Sequence, residues 1–415
     1  LPAGCSVEVD EQTYFDGNDI AIQIDPAAIS GRVTWGAPSN ISILMNGSVS
    51  VALGASLTIR PGSVIKIAQN AFLAVDGELM ASGTEDNPIF FTETRDNSVG
   101  GALSGDGSLP EAGWWRSINI RNEGKAIFDW CTIAYAGRSD GAAILKSGAG
   151  SLRISNSVLS HTSGDGLRLS SGYSSFEHFQ NEYSYNTIGV RLGINASFAD
   201  VTTRFEGNST DIQLDGGAIT GTVSWGSDGD YSMVITGDVS ISAGASLSIL
   251  PGTVIKFRQN NRILVYGSLE ALGEADLPIY FTDLRDDLVG GDANRDGGET
   301  SPAPGWWRSI GIMTDGTATF EHCVIRFAGY GDRSGVLKSS TGAVSMTDTV
   351  IEKVAGDGFR ADNAAGGVKI GRSTFSENSE AGLNCRTDGV SVEESVFLSN
   401  DTGVRTVANA SLILD

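Results

Sequence analysis

From Gly54 to Gly77 the chain alternates apolar and polar positions with period two. It reads Gly54-Ala55-Ser56-Leu57-Thr58-Ile59-Arg60-Pro61-Gly62-Ser63-Val64-Ile65-Lys66-Ile67, then Leu73-Ala74-Val75-Asp76-Gly77. The pairs Leu57/Ile59, Ile65/Ile67 and Leu73/Val75 follow one another every eight residues, and Leu247/Ile249, Ile255/Phe257 and Ile263/Val265 repeat the pattern. Such alternation marks strands with one buried face. The runs are short, and Pro-Gly, Asp-Gly or Tyr-Gly turns separate them. Strands of this size do not suit a hairpin sandwich. Three of them in a coil of about 22 residues predict an all-β solenoid, a parallel β-helix in which each strand pairs with its equivalent one coil away.

Longer repeats set the organisation. Pro61-Gly62-Ser63-Val64-Ile65-Lys66 returns as Pro251-Gly252-Thr253-Val254-Ile255-Lys256, a shift of 190 residues. Gly113-Trp114-Trp115-Arg116-Ser117-Ile118 returns as Gly305-Trp306-Trp307-Arg308-Ser309-Ile310, a shift of 192, and Gly189-Val190-Arg191 returns as Gly403-Val404-Arg405, a shift of 214. The second copy has gained 22 residues by then, and Phe375 recurs as Phe397 at that interval. Immunoglobulin-like modules would not accept such a self-similar insert. The expectation is two tandem copies, 1–200 and 201–415, forming one continuous solenoid of about 18–19 coils. Gly166 and Gly189 in the first copy, and Gly358, Gly382 and Gly403 in the second, are expected at corners where the backbone takes positive φ.

Composition narrows the partners. With 28 basic and 50 acidic residues the net charge is −22, which argues against a nucleic-acid or anionic-membrane partner and suits a secreted protein that meets divalent cations. No 18-residue apolar run occurs, so no membrane span is expected. Cys131 and Cys323 occupy the same phase of the two copies, too many coils apart to bridge, and read as small buried hydrophobes.

The run from Gly54 to Ile67, then Asn87-Pro88-Ile89-Phe90-Phe91-Thr92, then Gly113-Trp114-Trp115-Arg116-Ser117-Ile118, resembles the right-handed parallel β-helix repeats of bacterial cell-surface and secreted proteins, within the pectate-lyase-like fold group. The resemblance covers essentially the whole chain. It implies right-handed coils and an extracellular or cell-surface location, and its motifs specify architecture far better than activity.

Asp292-Ala293-Asn294-Arg295-Asp296-Gly297 is the sharpest chemical motif. Oxygen ligands at alternate positions followed by glycine describe the first half of an EF-hand-type loop. The twelfth position is Ala303 rather than Glu, which excludes a full EF-hand, so further ligands must come from carbonyls or from Asp286 and Asp287. Calcium is the expected ion, and the resemblance adds that aspartate-rich loops are common at this place. The first copy carries Ala102, Ser104 and Asp106 at the matching positions and is expected to bind weakly or not at all. One tryptophan of each pair, Trp114-Trp115 and Trp306-Trp307, should face inward and the other outward, where it becomes a candidate glycan contact or packs on the acidic loop. No catalytic set emerges. His161, His178 and His322 share no context, and His161 reads as a surface residue. Arg95-Asp96 and Arg285-Asp286 are the only candidates for lyase chemistry, and their recurrence favours a structural pair at a turn.

The expected role is therefore a structural or adhesive protein without enzymatic activity. The alternative is a carbohydrate-active β-helix enzyme or polysaccharide-binding module. Asn409-Ala410-Ser411 matches Asn195-Ala196-Ser197, so the last coil stops at the phase where the first begins. Open β-helix ends with no capping helix predict either head-to-tail self-association into a filament or a segment of a larger surface protein.

Overall fold

The computed structural model describes residues 1–415 apart from 14, 17, 19, 104–106, 171–175, 201, 228–229, 408–411 and 415. Ser104, Asp106 and the repeat at 409–411 thus lie outside the described residues. The chain divides into two compact units: Leu1–Leu192 with Thr202–Asp211, and Gly193–Val201 with Ile212–Asp415. Both are built of parallel strands with no helix among the described residues, a β-solenoid of about 16 turns in all.

Three sheets wrap each unit. In the first, a seven-stranded sheet runs from Val7–Glu8 to Phe176–Phe179, an eight-stranded sheet from Ile22–Ile24 to Arg204–Glu206, and a third from Ala28–Ile29 to Ile188–Leu192. The second has a nine-stranded sheet from Phe198–Ala199 to Leu412–Leu414 and an eight-stranded one from Gly217–Ile219 to Thr402–Thr406. Its third runs from Ser232–Ile235 to Val396–Leu398. The period-two pattern explains the core. Leu57, Ile59, Ile65, Ile67, Leu73 and Val75 are all buried, while Thr58, between Leu57 and Ile59, is more exposed. Strict register stacks like positions: Trp35 on Ile59, Ile59 on Ala81, Ala81 on Phe128 and Phe128 on Ile154. The second unit repeats that order as Trp225, Ile249, Ala271, Phe320 and Met346. Phe375 pairs with Phe397, their rings 5.1 Å apart and nearly parallel at 10°.

The number of turns is smaller than the repeat length predicts, for a clear reason. Leu57 pairs with Leu79 after 22 residues, yet Leu79 pairs with Ala126 only after 47. In the second unit Leu247 pairs with Leu269 after 22 residues and Leu269 with Ala318 after 49. A long loop consumes residues without adding a turn. The anchor glycines also differ from expectation. Gly166, Gly189, Gly358, Gly382 and Gly403 are not among the residues with positive φ. A Cβ on Gly166 would lie 2.8 Å from the Tyr183 ring and 2.7 Å from the Gly189 carbonyl, and one on Gly358 would lie 2.6 Å from the Gly382 carbonyl. These glycines make room for the neighbouring turn. The left-handed corners belong instead to residues such as Tyr135 and Phe327.

All four cysteines are free. The Cys131 and Cys323 thiols donate to the carbonyls of Ala81 and Ala271, and burial pushes both well above the ordinary thiol range. Buried lysines are less expected. Lys146 and Lys338, at the ends of equivalent runs, are both fully buried. Lys338 donates to the carbonyls of Ser340 at 2.6 Å and Asn363 at 3.0 Å, and Lys146 to that of Gly148. Burial lowers the Lys146 ammonium to about 8. The unfolded chain, titrating near an ordinary lysine value of about 10.4, therefore binds more protons than the fold above pH 8. Stability contributed at this site must rise as pH climbs through that window and must be lowest below it. Urea unfolding of the wild type and Lys146→Met between pH 7 and pH 10 should show their difference shifting in favour of the wild type. A difference that stays flat would contradict a strained ammonium.

Candidate metal centre

Each long loop leaves one strand and returns at a tryptophan pair, and the same frame holds both. Lys66 and Lys256 lie on the opposite strand face from the core residues Ile65/Ile67 and Ile255/Phe257, yet both are fully buried because the loop folds over them. Lys66 Nζ donates to the carbonyls of Asp96 at 2.8 Å and of Gly101, and Lys256 Nζ donates to that of Gly291. The accepting glycine ends a left-handed pair, with φ of 66° and 76° at Gly100-Gly101 and 60° and 69° at Gly290-Gly291. Side chains make such a backbone costly. Burial lowers the Lys256 ammonium to about 8, against the opposing pull of Asp286, Asp287, Asp292 and Asp283.

A buried carboxylate latches each loop. Glu93 accepts from Arg95 Nε at 2.8 Å and Asp283 from Arg285 Nη2 at 2.7 Å. The same carboxylates take the backbone N–H of Glu111 and, at 3.1 Å, of Ala303, where each loop returns. The guanidinium then stands over the returning tryptophan, Arg95 Cζ 3.8 Å from the Trp114 ring centre and Arg285 Cζ 3.7 Å from that of Trp306. The adjacent Arg-Asp pairs are therefore not pairs with each other. Asp96 accepts from Thr92 Oγ1 at 2.7 Å, and Asp286 from Thr282 and from Arg326 Nε at 2.7 Å. The second ring of each pair, Trp115 and Trp307, is wholly buried and offers no face to a glycan. The half-buried Trp114 and Trp306 each have one face covered by arginine.

In the second unit the loop gathers oxygen. Carboxylate oxygens of Asp287, Asp292 and Asp296 lie within 4.8 Å of one another. Turn geometry orients them: Asp292 accepts the Gly297 N–H at 2.9 Å, and Asp296 those of Gly298 at 2.8 Å and Thr300 at 3.0 Å. Asn294 Nδ2 donates to Asp296 Oδ2 at 2.8 Å, which leaves its carbonyl end free to accept. Oδ1 of Asp287, of Asp292 and of Asn294 are all buried without a hydrogen-bond partner. The Thr300 hydroxyl holds the Asp296 carboxyl below its usual range, whereas burial and then the nearby Asp292 charge raise that of Asp287. Crowded carboxylates with unpaired oxygens are electrostatically costly, and a hard divalent cation relieves that cost. Of the five residues singled out from the motif, Asp286 stands apart from the trio. It is fully buried, with one oxygen committed to Arg326 and Thr282 and the other unpartnered.

The first unit has Asn97 at the place of Asp287 and Ala102 at that of Asp292. Sequence reasoning did not find the frame of Lys66/Lys256, Glu93/Asp283 and Arg326. Its signal was present in the repeated Val-Ile-Lys run, where a lysine follows an apolar pair in both copies. No family model, curated protein or solved structure matches this chain.

Proposed function

We propose that this chain is an extracellular or cell-surface structural or adhesive solenoid, with one loop of its second unit fixed by calcium. The observation that carries this reading is the duplicated loop frame. Arg95 and Arg285, the arginines that could have served lyase chemistry, are bound to Glu93 and Asp283 and lie on tryptophan rings. Groups spent on holding loops in two places suit a scaffold better than an enzyme. The resemblance of the repeats to bacterial surface β-helix proteins supports the location. Immunogold labelling of source cells should mark the envelope or the surrounding medium, and label confined to the cytoplasm would refute it.

Calcium is supported by the three unpartnered oxygens of Asp287, Asp292 and Asn294. Such orphans are uncommon among buried polar atoms unless an ion or water meets them. Calorimetric titration of chelator-treated protein should show one dominant site, lost in Asp292→Ala/Asp296→Ala and retained in Asp286→Asn. Equal binding by the wild type and the double variant would sink the assignment. Self-association is the proposed partner mode. It is supported by exposed apolar side chains of the second unit, Val396 and Leu398 on the strand Val396–Leu398 and Val407 just after Thr402–Thr406. Sedimentation velocity across a concentration series tests it, and a single species throughout would exclude it.

A further inference from the structure

One corner of the first unit carries aromatic residues on three successive turns. Tyr135, His161 and Tyr185 follow Ala134, Ser160 and Ser184, which pair in register. Their ring centroids are 5.3 and 5.1 Å apart, tilted by 39° and 32°, so the rings open like a fan rather than closing face to face. Tyr135 is half-buried and His161 exposed, and Tyr185 is 53% exposed. All three have left-handed backbones, with φ of 63°, 54° and 56°. Bulky side chains seldom accept that conformation. Other left-handed positions hold asparagine, as at Asn70, Asn122 and Asn156, or larger side chains such as Trp130, His322 and Arg372. What sets this corner apart is that aromatic rings follow one another on three consecutive turns.

The second unit supplies the comparison. Phe327, Lys353 and Glu377 occupy the same corner, following residues that pair as Arg326 with Glu352 and Glu352 with Ser376. Their φ values are 62°, 53° and 56°, so the backbone is the same and an aromatic ladder is not required to form it. There the lone ring is nearly buried, at 7% exposure, and the Lys353 ammonium stands 5.9 Å from its centre. The Arg326 guanidinium stands 5.6 Å from the same ring, so two cations already flank it. The first-unit corner carries three rings, with acids at its Tyr185 end. The Tyr185 hydroxyl donates to Glu206 Oε1 at 3.0 Å, with Glu182 also near. Aromatic faces flanked by carboxylates attract ammonium and guanidinium groups. The net charge of −22 draws such groups in and repels acidic ones.

We infer that the Tyr135–His161–Tyr185 corner is a docking surface for a basic segment of a protein partner, whose lysine or arginine side chains take the place that Lys353 fills in the second unit. The inference does not depend on the cation site or on the location proposed above.

The test uses the full chain and a fluorescent arginine-rich peptide, read by anisotropy at physiological ionic strength. A glutamate-rich peptide and a neutral cello-oligosaccharide serve as comparison ligands. Transplanting the second-unit corner, as Tyr135→Phe with His161→Lys and Tyr185→Glu, keeps both the corner backbone and the formal net charge. It should weaken the arginine peptide by roughly tenfold or more. Tyr185→Ala, also neutral in charge, should weaken it to a lesser degree and gives an independent reading should the triple variant fail to fold. The inference is overturned if the wild type does not bind the peptide, or if these variants bind it as the wild type does. It is equally overturned if the oligosaccharide is the ligand whose binding the variants abolish.

Discussion

Trp307→Ala should destabilise the second unit by about 3–5 kcal/mol, and its neighbour Trp306→Ala by only about 1–2 kcal/mol. Trp307 is fully buried, stacks on Phe257 at 4.2 Å with 6° between the rings, and donates from Nε1 to the Arg326 carbonyl at 2.9 Å. Removing it leaves a cavity between turns whose strands are fixed in register on both sides, so little collapse can compensate. Trp306 lies on the outer face, with Arg285 above it and Nε1 donating to the Phe257 carbonyl at 2.9 Å. Its loss frees the guanidinium and one carbonyl but opens no interior space. Urea unfolding of the two variants distinguishes the cases. Equal losses would show that the paired rings do not divide between core and loop.

Asp283→Ala should cost about 3–5 kcal/mol locally, because it strands a partly buried guanidinium and releases the returning end of the loop. Asp283 is fully buried and accepts from Arg285 Nε at 3.1 Å and Nη2 at 2.7 Å, and from the N–H groups of Arg285 at 2.9 Å and Ala303 at 3.1 Å. Four donors therefore lose one acceptor together. Limited proteolysis should cut between residues 284 and 304 in this variant under conditions that leave the wild type intact. Adding Arg285→Ala should recover part of the loss, since the unpaired charge goes with it. A loop that stays resistant in Asp283→Ala, with unchanged stability, would remove the latch from the account.

The strands were legible because a half-buried strand writes its burial directly into residue type. Leu57, Ile59, Ile65 and Ile67 could be placed on the inner face without coordinates, and Phe375 and Phe397 one turn apart. Turn number was not, because chain length counts loop residues equally with strand residues. The anchor glycines were misread because two physical causes leave the same letter: Gly166 serves a close approach to Tyr183, and positive φ was only the commoner alternative. In the acidic loop, Asp292 and Asp296 stand at alternate positions of the motif and lie close to Asp287, which the sequence offered only as a nearby acid. The other nearby acid, Asp286, is committed to Arg326, 40 residues away, which no local pattern reveals. Lys66 and Lys256 escaped notice for a related reason. They occupy outward strand positions, and only the returning loop buries them.

The Phe375–Phe397 step bears on how such a chain can change in length over generations. Successive turns meet through one register, in which Thr374, Phe375 and Ser376 face Val396, Phe397 and Leu398. A gene duplication or deletion spanning one such period would insert or remove a single storey and still present matching hydrogen-bond donors and acceptors to the floors above and below. An insertion or deletion of a single codon within a strand has no such tolerance, since it would turn every following side chain on that strand to the wrong face. Length in this architecture is therefore inherited in discrete steps. The long loops that interrupt the stack at Leu79–Ala126 and Leu269–Ala318 are the places where sequence can drift by single residues without disturbing the count.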